Sequence, residues 1–179
     1  MSAIAPVWLT ARAAGLAALV MATLAVTAGT LLGGRFLTGR GRAGMLRAAH
    51  EALAIGTLAL IAVHGLALLA DPVLRPGLAG VLVPFAGPYR APATALGEVA
   101  AYGMAGLGLT FYVRRRLGAA RWKRAHRFVP VFWALGVLHG ILTGTDASRP
   151  WALGLILPPV LAATAVLATR HYEAAPAAR

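Results

Sequence analysis

Cysteine is absent from the sequence, and acidic residues are scarce, with only 5 Asp and Glu among 179 positions. The first absence excludes a disulfide framework, a thiolate metal site, an iron–sulfur cluster and a covalent haem attachment motif. The second excludes a calcium or magnesium cage, because those hard cations need several oxygen ligands. Charge is low overall: 12% of residues are charged, against about a quarter in an ordinary soluble domain. A surface facing water cannot be assembled from so few charges, which rules out a soluble globular enzyme. What the chain has instead is 59% hydrophobic residues and a mean hydropathy of +0.74. The net charge of +12 does not point to nucleic acid, because the basic residues stand in short clusters between long apolar runs. Such clusters read first as topology signals in a membrane protein.

A helix needs about 20 apolar residues to span hydrocarbon. Five segments qualify, running over about 7–32, 46–70, 93–113, 126–143 and 151–169. The expected fold is therefore all-α, an integral membrane bundle of five transmembrane helices, forming one domain over residues 1–179 with no soluble flavin or nicotinamide domain. Basic residues set its orientation. The connections after the first and third segments, together with the tail, hold 13 of the 17 Lys and Arg, whereas Arg12, Arg75, Arg90 and Arg149 fall on the other face. The crowded face is placed in the cytoplasm, with the N-terminus outside and the C-terminus inside. The first segment has some features of a signal peptide, but a charged stop follows it and little positive charge precedes it, so it reads as a retained helix. Residues 71–90 carry Pro72, Pro76, Pro84 and Pro88 among glycines. They read as a loop dipping against the outer surface.

Histidine is the remaining metal-ligating residue type, and an ionisable side chain inside a membrane usually marks function. Four of the five histidines fall in or at the edge of spanning segments, as two pairs: His50 and His64 on the second, His126 and His139 on the fourth. Fourteen residues advance a helix about 21 Å and turn it close to four times, so His50 and His64 share a face near opposite membrane boundaries. The second and fourth segments run in the same direction, which sets His50 level with His126 and His64 level with His139. Two facing imidazoles at each level can hold two haem irons axially; one haem with a structural pair, or interhelical hydrogen bonding without haem, are the other readings. Ala54 and Thr57 leave room on the shared face. The interval from His126 to His139 is one position shorter and turns a straight helix by about 220° beyond whole turns, so some rewinding is expected near Pro130 or Gly136. Glu51 reads as a snorkelling or Arg-paired acid, Glu98 as a polar contact within the bundle, and His171 as a solvated tail residue.

The segments HEALAIGTLALIAVHGLALLAD, LGEVAAYGMAGLGLT and RRRLGAARWKRAHRFVPVFWALGVLHG resemble the ferric reductase-like transmembrane domain. That superfamily includes NADPH oxidases, ferric reductases and the haem-binding membrane subunit of methionine sulfoxide reductase systems. The resemblance runs from about Gly15 to about Ala165 and is most specific in RRxLGxxxWKxxHR, which ends just past His126, together with the second histidine that follows at His139. It implies transmembrane electron transfer through two b-type haems, with His50 and His126 on the inner iron and His64 and His139 on the outer. Electrons would come from a separate flavin reductase, a flavin or a quinol, and pass to an extracytoplasmic partner reductase, ferric iron or oxygen. No nucleic acid is involved. Ala125 and Pro130 depart from the family pattern and bear on local helix shape. The basic residues Arg47, Arg121, Lys123, Arg124 and Arg127 are read as contacts to inner haem propionates, as lipid anchors or as a docking surface for an acidic donor. Arg75, Arg90 and Arg149 read as contacts to outer propionates or to an anionic acceptor, or as loop charges in water, and Trp122 reads as a haem-edge residue or an interfacial anchor. The rival functions are a quinone-linked cytochrome b subunit and a haem-free scaffold or small transporter. The Ala, Gly and Arg richness suits a multi-pass protein of a bacterial inner membrane.

Overall fold

A computed structural model describes residues 4–33 and 40–174. Arg35 and Arg179 lie outside them, as do the side chains of Arg40, Arg170 and His171. All regular structure among the described residues is helical: α1 (Ile4–Gly33), α2 (Arg40–Leu69), α3 (Gly77–Leu82), α4 (Ala91–Leu109), a 3-10 turn (Thr110–Val113), α5 (Arg114–Leu117), α6 (Ala119–His126), α7 (Val129–Thr143) and α8 (Pro150–Ala174). Four stretches are long and apolar enough to cross a membrane, namely Pro6–Gly33, Gly41–Leu69, Ala119–Thr143 and Pro150–Thr169. The expected third crossing is not among them. At 19 residues α4 is long enough, but Glu98 and its several glycines dilute its hydropathy.

The first helix is the core of the bundle. Ala11, Ala14, Ala18, Ala22, Ala25 and Ala28 are all buried, a row of small side chains that lets neighbouring backbones approach closely. α1 packs most extensively on α2 and also meets α7 and α8, while α4 packs on α7. Its threonines Thr23, Thr27 and Thr30 return their hydroxyl protons to carbonyls one turn back, at 2.8 Å each, so they bring no unpaired donor into hydrocarbon. Trp133 of α7 is buried against Ala22, Val26 and Ala163 and donates its indole N–H to Thr23 Oγ1 at 3.0 Å.

The fourth expected span differs from the sequence reading in its internal structure. The chain turns at Arg127–Phe128 between α6 and α7, so within this one spanning stretch His126 ends a short amphipathic helix and His139 stands on the apolar helix that follows. Pro130 sits in the first turn of α7, where its missing N–H has no intrahelical acceptor to lose. It starts a new helix rather than bending an old one. Gly136 lies inside the unbroken α7; a Cβ there would meet Ala100 at an ordinary 3.7 Å, which marks close α4–α7 packing. Gly118, between α5 and α6, has φ 88, a conformation that side-chain-bearing residues rarely adopt.

Residues 71–90 cover the bundle end opposite the basic clusters, and within them lies the six-residue α3. Asp71 Oδ1 accepts from the backbone N–H of Val73 at 2.8 Å and of Leu74 at 3.0 Å, which closes the turn after α2. The segment is latched to its neighbours by Tyr102, whose hydroxyl donates to the Leu82 carbonyl, and by Arg90, which donates to the Leu142 carbonyl. Arg75, Phe85 and Arg90 all take positive φ.

Because Trp133 joins α1, α7 and α8, it dominates the packing. Trp133→Ala is expected to cost about 3–5 kcal/mol, whereas Trp133→Phe, which removes chiefly the hydrogen bond to Thr23, is expected to cost about 1 kcal/mol. Thermal unfolding in detergent checks the ratio; equal losses would contradict this assignment.

Candidate functional site

The four membrane histidines meet as two pairs. The rings of His50 and His126 lie 6.3 Å apart between centroids with an interplanar angle of 89°. Those of His64 and His139 lie 6.5 Å apart at 80°. The turn at Arg127–Phe128 is what reconciles the shorter interval on the fourth segment with this pairing, since it frees the orientation of His126 from that of His139.

Every one of these imidazoles faces a helix carbonyl on a neighbouring element through Nδ1. His50 meets Ala25 O at 2.8 Å, His64 meets Ala11 O at 2.7 Å, His139 meets Ala93 O at 2.9 Å and His126 meets Leu107 O at 3.3 Å. A carbonyl only accepts, so the neutral ring carries its proton on Nδ1 and keeps a lone pair on Nε2. That is the tautomer a metal binds, with the opposite nitrogen held by a backbone acceptor.

The spacing admits a metal between the rings. Two imidazoles on opposite sides of one ion place their centres about 6.2 Å apart, from about 2.0 Å per metal–nitrogen bond and about 1.1 Å from nitrogen to ring centre. Bare rings in edge-to-face contact fall in the same distance range; the two matched levels and the uniform tautomer favour ligation over packing. Among the described residues no group of three or more His, Cys, Asp or Glu could hold an ion. Each pair offers two imidazole nitrogens, too few for a bare zinc or copper site and the number a histidine-held haem would use.

A cavity of about 830 Å³ opens at the His64–His139 level, lined among others by Arg12, Thr57, Tyr89 and Glu98. Thr57 is buried against this cavity, and its hydroxyl is bonded within its own helix to Leu53 O at 2.8 Å; Ala54, the other small residue of the histidine face, does not line the cavity. Of the basic residues near this end, Arg12 lines the cavity, whereas Arg75, Arg90 and Arg149 do not. Arg12 forms an ion pair with Asp146 and lies 4.7 Å from the Trp8 ring centre and 5.6 Å from that of Trp151. Sequence reasoning counted Arg12 only as an outer charge; the nearby tryptophans were the available signal.

Glu98 does not make the polar contact expected of it. It is 8% exposed, and neither carboxylate oxygen has a hydrogen-bond partner among the described residues. Glu51 pairs with no arginine among the described residues; it accepts from the Tyr112 hydroxyl at 3.0 Å. At the basic end, Arg47, Arg121, Lys123, Arg124 and Arg127 are all exposed, with Trp122 among them only partly so, and none of the five basic residues is in an ion pair among the described residues. Trp122 stacks on His126 at 4.8 Å and 27°, with its buried indole N–H unpartnered among the described residues. Behind it stand Phe111 at 5.5 Å and, 3.7 Å from the Phe111 ring centre, the Arg114 guanidinium.

A helical multi-pass membrane protein with histidines paired at two depths is the class this fold and site define. Residues 13–137 match the profile of the ferric reductase like transmembrane component family, and the chain belongs to that family. The matched stretch contains His50, His64 and His126 and ends just before His139. No curated protein and no solved structure matches the chain.

Burying a polar group without a partner costs about 1–3 kcal/mol, and more where the group is ionised, so Glu98→Leu is expected to raise the thermal unfolding midpoint of the cofactor-free protein. Glu51→Leu, which removes the Tyr112 acceptor, is expected to give no such rise. A lower midpoint for Glu98→Leu would show that its carboxylate is paired in solution.

Proposed function

We propose that this chain is a di-haem b-type membrane cytochrome, the electron-conducting component of an oxidoreductase that links a cytoplasmic donor to an extracytoplasmic acceptor. The observation that carries the reading is the pair of imidazole pairs, 6.3 and 6.5 Å apart, with all four Nδ1 atoms against backbone carbonyls. His50 and His126 hold the inner iron; His64 and His139 hold the outer. When bound, each haem supplies a one-electron iron couple. The chain's own residues would hold each iron between two imidazoles, every ring kept in place by the backbone carbonyl it faces, so an exogenous ligand would have to displace one of them.

In this reading the basic end faces the cytoplasm and α4 is the fifth crossing, which puts the N-terminus outside and the C-terminus inside a bacterial inner membrane. Arg47, Arg121, Lys123, Arg124 and Arg127 stand at that surface and serve inner propionates or an acidic donor, a flavin reductase being the class that fits. Trp122, stacked on His126 with an unpartnered N–H among the described residues, is a further donor for a carboxylate at that edge. At the other end Arg12 takes the outer role that the sequence assigned to Arg75, Arg90 and Arg149, because Arg12 alone of the four lines the cavity. The acceptor is a partner reductase, ferric iron or oxygen, reached through the ring edge.

Absorption spectroscopy on purified protein tests the reading. Two haems per chain are expected, and each of His50→Ala, His126→Ala, His64→Ala and His139→Ala is expected to lose one of them. The reduced spectrum should change little with carbon monoxide. Near-perpendicular imidazole planes leave the iron dxz and dyz orbitals close in energy, so the oxidised protein should give highly anisotropic low-spin EPR signals. Protein without a Soret band after haem-supplemented expression would support the haem-free scaffold instead, and reduction obligatorily coupled to quinol would support the quinone-linked cytochrome.

A further inference from the structure

The histidine-bearing helices dock on α1 and α4 through a recurring local arrangement. The carbonyl that accepts from His64 belongs to Ala11, the one that accepts from His50 to Ala25, and the one that accepts from His139 to Ala93. One helical turn after each acceptor, at position i+4, stands a glycine: Gly15, Gly29 and Gly97. In a helix the carbonyl of residue i receives the N–H of residue i+4, so the side chain at i+4 stands beside that carbonyl's second lone pair. Glycine leaves it open to the imidazole.

The fit is tight at all three. A Cβ would come within 2.7 Å of the His139 ring at Gly97, 2.9 Å of the His50 ring at Gly29 and 3.0 Å of the His64 ring at Gly15. Along α1 the interval from Ala11 to Ala25 equals that from His50 to His64 on the antiparallel α2. The fourth histidine has no equivalent. Leu107, which accepts from His126, has Phe111 at its i+4 position, and its hydrogen bond is the longest of the four at 3.3 Å.

We propose that Gly15, Gly29 and Gly97 are positioning residues that act through the histidines: each opens a helix carbonyl that holds the ring in one tautomer and one plane and raises the basicity of its Nε2. This inference rests on the haem reading above. A stronger Nδ1–H···O bond makes the imidazole a better donor to the oxidised iron, so a side chain that displaces the ring favours the reduced form.

The test is a graded series, Gly97→Ala, Gly29→Ala and Gly15→Ala, on the full-length protein in detergent. Gly154→Ala, at a position with open space around it, is the control. At a fixed potential, the reduced-to-oxidised ratio of one haem is expected to rise at least threefold in Gly97→Ala and Gly29→Ala, less in Gly15→Ala, and not at all in Gly154→Ala. Gly29→Ala should affect the haem that His50→Ala removes, and the other two the haem that His64→Ala removes. The EPR g-values of the affected haem should move with its potential. Unchanged ratios and g-values in Gly97→Ala and Gly29→Ala would overturn the proposal.

If a variant binds no haem, 15N NMR of its histidines gives the answer. The parent should show four imidazoles protonated at Nδ1, and the glycine variant should show one ring with mixed tautomers; a pure tautomer there also overturns the proposal. Retention of both haems in all four histidine variants would sink the haem reading itself, an outcome distinct from failure of the glycine series.

Discussion

An imidazole N–H in hydrocarbon needs an acceptor, and for all four membrane histidines of this protein that acceptor is a helix carbonyl on an adjacent element. Most other features of the bundle follow from that pairing. It requires α2 to lie close against α1 and α7 close against α4, which small side chains and glycines permit. It fixes the proton on Nδ1, which decides the chemistry left to Nε2. It also sets the antiparallel register: His64 with Ala11 and His50 with Ala25 are the same pairing repeated at an equal interval along both helices, so one helix alignment satisfies both.

The α4–α7 side shows what happens when the intervals disagree. The accepting carbonyls of Ala93 and Leu107 keep the same interval as Ala11 and Ala25, but His126 and His139 are closer together in sequence by a single position. One continuous helix cannot satisfy both, and the chain responds with the turn at Arg127–Phe128, a longer hydrogen bond at His126 and the 3-10 winding of Thr110–Val113 after Leu107. The indole of Trp122 then backs the less tightly held ring. The two levels are therefore not equivalent in construction, although each presents two imidazoles.

Much of this was legible beforehand. Apolar run length marked the crossings, except that glycine dilution leaves α4 outside the four clear ones. Histidine spacing implied the two levels, and the angular mismatch between His126 and His139 marked a place where regular helix had to fail. Its manner was missed, because Pro130 reads equally well as a kink or as a first-turn residue. Also missed was the standing of α1, which composition presents as one more apolar helix. The signal was there in Ala11-x3-Gly15 and Ala25-x3-Gly29 at the histidine interval, but it acquires meaning only when α2 is laid beside it. Glu98 and Arg12 went astray for a related reason: whether a charged residue finds a partner is decided by residues distant in sequence.

The packing has a consequence for biogenesis. α1 with α2, and α4 with α7, are two hairpins, and the first supplies one histidine to each level as does the second together with α6. Neither half-shell can grip a ligand from two sides. During translation the first hairpin is complete before the second has emerged, so both sites must close together when the late hairpin swings onto the early one. On the proposed di-haem reading, cofactor capture waits for that late hairpin, and a chain interrupted before α7 would leave the first hairpin with two half-built sites.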